Sequence, residues 1–282
     1  LAPVPLLASG ADVHLATIRV PEMNVVHTLN MLHLKVVPDD RRERTREAKR
    51  LRILHAAGAV IDRESLAGVT MQAVADELDC AVGTLYTAFD SKAALLVALQ
   101  AEAVGTLEAS YRTARAGWLE HLDAEAVEPA LGVLVELAAY GGFVAAAGVV
   151  FRDEVALVRA LLGEVAATAA PLDRESAREQ LPVVHRLLDP PTARLADAVA
   201  LEVQRAGDPT ARALVWVSSL YGVLRLERLA PLDRHLFRTT ALARALTEDL
   251  LVGWGAPRPD VEVASTWVEQ LAARGPLAPP PV

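Results

Sequence analysis

Residues 68–92 read GVTMQAVADELDCAVGTLYTAFDSK, and no other stretch constrains the fold as tightly. Apolar residues recur at helical spacing twice within it, first Val74 and Leu78, then Leu85 and Phe89, on either side of a polar break at Asp79-Cys80. Thr70 stands where the cap of a short helix over 71–78 belongs. Ser91 caps a further helix that holds Lys92 in its first turn. A second short helix is predicted over 81–89. Helices this short are not stable alone, so the pair must be held by longer neighbours on both sides.

Those neighbours are legible. Before the pair, Leu51, Leu54, Ala57 and Ile61 predict a helix over 45–63, which Gly58 weakens by about 1 kcal/mol without breaking its pattern. After it, Leu95, Leu99, Ala103, Leu107 and Tyr111 predict a long one-faced helix from Ser91 to about residue 121. The 282 residues are 52% apolar but only 4% aromatic, and Ala, Leu and Val dominate, which points to an all-α chain.

Residues 131–151 carry a single charge, Glu136. Their length would allow a membrane span, but that charge, the Gly141-Gly142 pair and the lack of flanking basic residues favour a buried core helix and no membrane partner. Further helices are expected over 153–169, 192–206, 210–229 and 237–254. Pro171, Pro182, Pro190 and Pro191 punctuate the segment between the first two, and Gly207-Asp208-Pro209 stops the second. An additional amphipathic helix over 261–274 precedes a proline-rich tail expected to be disordered. Residues 1–40, with four prolines and no clean period, are expected to be a disordered extension ahead of a true start near Met23 or Met31. The other reading makes them an added strand or arm.

Charge is uneven. The chain carries −8, yet Arg41, Arg42, Arg44, Arg46, Lys49, Arg50 and Arg52 face only Glu43 and Glu47, so a basic arm precedes an acidic body. Such asymmetry suggests a local contact with nucleic acid. The lone cysteine, Cys80, is expected to be a small buried apolar side chain in a reducing, cytoplasmic protein. Seven histidines show no ligand spacing, and no nucleophile elbow, phosphate loop or dinucleotide fingerprint occurs, so neither a metal, a cofactor nor an enzyme is expected.

Gly68, Thr70, Val74-Ala75, Gly83-Thr84-Leu85-Tyr86, Phe89 and Ser91-Lys92 together resemble the DNA-binding domain of the TetR (tetracycline-repressor-like) family. The resemblance implies a three-helix helix-turn-helix domain over 41–92 and a larger helical ligand-binding and dimerisation domain over 93–256, with 257–282 as an extra C-terminal helix and tail. It implies a homodimer, paired through the last two long helices. The function implied is a repressor released from a near-palindromic double-stranded operator by a small apolar effector. In a helix-turn-helix the second helix presents its N-terminal residues to base edges. That makes Ala81, Val82 and Gly83 base-facing, with Thr84 and Tyr86 placed to donate hydroxyls to phosphates and Thr87 beside them. Thr70 and Lys92 suit phosphates at helix N-termini. Arg44, Arg46, Lys49 and Arg50 are expected along the backbone or in a minor groove. Trp118, Tyr140, Phe143, Trp216 and Tyr221 are large enough to line an effector cavity, although each also suits an ordinary core position.

The turn departs from the family pattern of Ala-Gly-Val-Ser, reading Leu78-Asp79-Cys80-Ala81. Asp79 is therefore expected in a left-handed backbone, and the serine cap, worth about 1 kcal/mol, is lost unless Asp79 replaces it. Between Ile53 and Asp90 the only cation is Arg63, against Asp62, Glu64, Asp76, Glu77, Asp79 and Asp90. This acidic head motivates a second reading, a TetR-like ligand-binding or protein-interaction module whose operator binding is weak or lost.

Overall fold

The computed structural model describes residues 41–164 and 174–280. The expectation for residues 1–40 lies outside them. The chain divides into two units. One is residues 1–46, of which 41–46 are described as the first turns of a helix with Arg44 and Arg46 exposed, and the other is residues 47–282. Every regular element among the described residues is helical.

Helix α1 (Arg41–Gly68) begins four residues before its predicted start and is interrupted at Ser65, where φ is 66°. Regular helix thus ends close to the expected residue 63. Gly68 is required where the chain turns back, because a Cβ there would collide with the Glu64 side chain. Helices α2 (Met71–Glu77) and α3 (Val82–Tyr86) follow, then α4 (Lys92–Ala124). Ile53, Ala57, Val60, Val74, Leu85, Phe89, Leu95 and Leu99 close over one another as the core of the head. Leu157 from α6 (Arg152–Arg159) joins that core.

The body is organised around α5 (Pro129–Val150). Residues 133–141 are buried without a break, so α5 is surrounded rather than one-faced. Packed on it are α4, α7 (Arg174–Ala200), α8 (Pro209–Leu224), α9 (Thr239–Gly253) and α10 (Arg258–Arg274). Both α4 and α5 are long and apolar enough to cross a membrane, but the apolar surface of α5 is mostly buried inside the protein. Its one charge, Glu136, accepts from Arg115 Nε on α4 at 2.5 Å and lies 3.7 Å from Arg194 on α7. Gly141 lets α9 approach, since a Cβ there would run into Thr247.

Three expectations are corrected. The prolines do not break the chain before 192: α7 runs from Arg174 through Pro182, Pro190 and Pro191 to Ala200. An interior proline costs about 3 kcal/mol, whereas burying Val183, Leu187, Leu188 and Leu195 against the core returns roughly 1.5–3 kcal/mol each. The predicted 153–169 helix is regular only to Arg159 and continues as a π-helical segment over Ala160–Glu164, with 165–169 outside the described residues. The described part of the tail is not loose. Ala278 is buried, and Ser110 donates to the Pro279 carbonyl at 2.5 Å, so residues 277–279 are tied onto α4.

Candidate nucleic-acid interface and interior cavity

Thr70 caps α2 by accepting from the Ala73 amide at 3.0 Å. The chain leaves α2 through Asp79 in the left-handed region (φ 49°), and the Cys80 amide bonds back to the Ala75 carbonyl at 3.0 Å. Asp79 thus takes the backbone expected of it but does not replace the lost cap. The cap of α3 is Ala81, which accepts from the Thr84 amide only through its carbonyl (2.8 Å), with no side-chain acceptor. Helix α3 is five residues long and stops before the predicted residue 89. Its end is held by Thr87, whose hydroxyl donates to the Thr84 carbonyl at 2.7 Å. Leu85 and Phe89 anchor this element from behind. Ala81, Gly83, Tyr86 and Thr87 are exposed, and Val82 and Thr84 are half-buried.

The cations around α3 fall into two groups. Lys49 donates to Thr87 Oγ1 at 2.5 Å, and the Arg50 guanidinium lies 4.4 Å from the Phe89 ring centre, so the residues bounding the end of α3 are braced by α1. Lys92 is exposed in the first turn of α4, one residue after Ser91, which accepts from the Ala94 amide at 3.0 Å. Arg63, by contrast, is spent within the protein. It donates to Glu77 at 2.8 Å and Glu64 at 3.1 Å, and those two bonds, Glu77 first, raise its pKa further.

In the body, the five aromatic candidates form one packed set. Tyr111 meets Trp118, Tyr140 and Phe143 edge to face at 5.8, 5.3 and 5.4 Å, and Tyr140 leans on Trp216 at 5.2 Å. A cavity of only about 20 Å³ remains among them. Tyr140, Phe143 and Tyr221 line it. Trp118 and Trp216 do not, Trp216 instead donating to Thr247 Oγ1 at 3.1 Å. Three polar lining residues were not singled out from sequence as a site. Tyr111 is buried and its hydroxyl has no partner among the described residues, while Glu108 and Arg186 pair at 2.7 Å beside it. Burial raises the Tyr111 phenol to about 12 against the lowering pull of Arg115, and burial also raises Tyr140 and Tyr221, so all three are neutral phenols.

Residues 53–99, which hold α2, α3 and the cap of α4, match the family described as bacterial regulatory proteins, tetR family. Over this segment the chain is similar to the TetR family. A likeness in fold extends beyond that segment. The RolR complex with its ligand resorcinol is similar at a TM-score of 0.52 and 15% identity, over 81% of this chain and 96% of that one. A protein of unknown function from Rhodococcus sp. RHA1 is similar at 0.51 and 19% identity, over 73% and 94%. No curated protein matches the chain. Against the TetR pattern, the altered turn keeps its backbone path through Asp79 while giving up the side-chain cap of α3.

The residues missed in the cavity left little trace in sequence. Tyr111 ends the four-residue series of α4 and so reads as core, and Glu108 and Arg186 stand 78 positions apart with no shared pattern.

Proposed function

We propose that the protein is a homodimeric repressor whose α3 helices meet successive major grooves of a near-palindromic operator and whose grip is released by a small, largely apolar effector. One observation carries this reading. Helix α3 is fastened from behind by Leu85 and the adjoining Phe89, and it turns the small Ala81 and Gly83 and the exposed Tyr86 outward. A surface so poor in charge suits apolar contact and shape readout of bases, with phosphates left to Lys92 and to the basic residues of α1.

The dimer reading is supported by α8, whose Leu214 and Val215 are about half exposed and continue through Ser218 to Gly222 on the same face. Exposed aliphatics at that spacing fit a four-helix pairing of α8 and α9 with a second copy.

The effector reading is supported by α4. Its first turn carries Lys92, and Tyr111, about 28 Å farther along at 1.5 Å per residue, lines the tyrosine cavity. A cavity of about 20 Å³ holds little more than a water. An effector that enters between Tyr111, Tyr140 and Phe143 must part α4 from α5, and so favours a second spacing of the heads. A differential affinity of about 1–3 kcal/mol suffices for substantial regulation. The unpartnered Tyr111 hydroxyl calls for one hydrogen-bonding group on an otherwise apolar molecule. The cytoplasm is the compartment this reading requires.

Selection of bound fragments from genomic DNA, followed by gel shifts across a salt series, tests the proposal. Specific complexes at low salt that weaken steeply with salt are expected. Their absence on both selected and own-promoter DNA sinks the repressor reading. It leaves the module without operator binding, which the neutralised Arg63 favours.

A further inference from the structure

Helix α10 and the tail build a cleft that the reading above does not use. It lies between α5, α9 and α10 and encloses about 300 Å³, at the small end of the range for small-molecule pockets. Its floor is apolar and made of small side chains, Gly142, Ala145 and Ala146 of α5, and it is walled by Val268 of α10 and Leu277 of the tail. The two ends differ in charge. At one, Arg244 is shared by Glu269 at 2.6 Å and Glu248 at 3.9 Å, and Glu248 also accepts from Ser265 at 2.6 Å, so one cation serves two carboxylates that are already held. At the other end, six residues earlier, stands Arg238. It makes no ion pair and no side-chain hydrogen bond among the described residues, and Thr240, two residues on, lines the same cleft.

We propose that this cleft is a second small-molecule site, specific for a small amphipathic carboxylate. The apolar part lies on the α5 floor, and the carboxylate faces Arg238 and Thr240. The carboxylate-rich end repels an anion and so fixes its direction, while the free guanidinium offers the paired donors a carboxylate accepts best. The site is distinct from the tyrosine cavity, since the two share no lining residue.

Calorimetric titration of the full chain with octanoate, octanamide and octylamine tests this. Octanoate is expected to bind once per chain and more tightly than either analogue. R238Q is expected to weaken octanoate about tenfold and leave octanamide unchanged. A241W, which fills the mouth from an exposed position on α9, is expected to abolish binding of both, with circular dichroism confirming its fold; should A241W not fold, R238Q decides. Absence of octanoate binding, preference for octylamine, or binding indifferent to R238Q and A241W overturns the proposal. So does a result in which the two variants shift only the monomer–dimer equilibrium, which assigns the cleft to a second copy.

Discussion

The ammonium of Lys49 reaches across from α1 to the hydroxyl of Thr87, just past the end of α3, at 2.5 Å, and that hydroxyl in turn donates to the Thr84 carbonyl. Two residues read from sequence as separate DNA contacts are thus one linked device, and α1 sets where α3 ends. The two substitutions should separate by their salt dependence. K49Q removes a charge and is expected to lower the salt slope of operator binding by about 0.9, the value for one phosphate contact. T87V keeps the charge and unpins it, so affinity should fall with the slope unchanged. Gel shifts from low to moderate salt read both.

Neutralising Arg44, Arg46, Lys49 and Arg50 together is expected to flatten the salt dependence far more than any change within 53–90. Arg63, the only cation there, is held by Glu64 and Glu77. Retention of both affinity and slope would falsify the allocation of phosphate contacts to α1.

The turn before α3 carries avoidable strain. D79G relieves a non-glycine residue at φ 49° and should stabilise the protein by about 0.5–1 kcal/mol. A81S supplies the missing cap and should add about 1 kcal/mol. Urea midpoints of the single and double variants check both values.

Glu136 is buried at the centre of α5 between Arg115 and Arg194. E136A leaves the partly buried Arg115 without its counter-ion, whereas Arg194 keeps Asp197 at 2.8 Å, and is expected to cost about 2–3 kcal/mol, reduced from the fully buried case because Arg115 retains some exposure. A paired R115M/E136M change removes the charges together and should recover most of that loss, by thermal or chemical denaturation.

Alkaline stability reports the tyrosine cluster. Tyr111 ionises at about 12 when folded, against an ordinary value of 10.0, and Tyr140 and Tyr221 are raised as well. Above about pH 10 the unfolded chain has therefore lost phenolic protons that the folded chain still holds, so stability falls as pH rises. Urea midpoints should be unaffected by these groups from about pH 7 to 9 and drop between about pH 10 and 12. Y111F should make that drop shallower by up to one proton's worth.

What was legible in the sequence was whatever rests on local chemistry. Thr70 and Ser91 cap the helices they were read to cap, Asp79 takes the left-handed turn, and the series from Leu95 to Tyr111 is the inner face of α4. What could not be read depends on partners distant along the chain. Pro182, Pro190 and Pro191 look like breaks until the core that α7 packs on is known. Trp118 and Trp216 look like cavity walls until Tyr111, Tyr140 and Thr247 are seen to occupy their faces. The 275–280 tail looks loose because nothing nearby in sequence announces Ser110 as its anchor.

That anchor spans 169 positions, and it bears on the order in which the nascent chain can fold. All of the head's core except Leu157 lies between residues 53 and 103, so it can close soon after it leaves the ribosome. The body cannot complete the wall beside α5 until Leu277 arrives and the Pro279 carbonyl is fastened, more than 170 positions after residue 103. During synthesis the core of the head can therefore close well before the wall of the body beside α5 is in place.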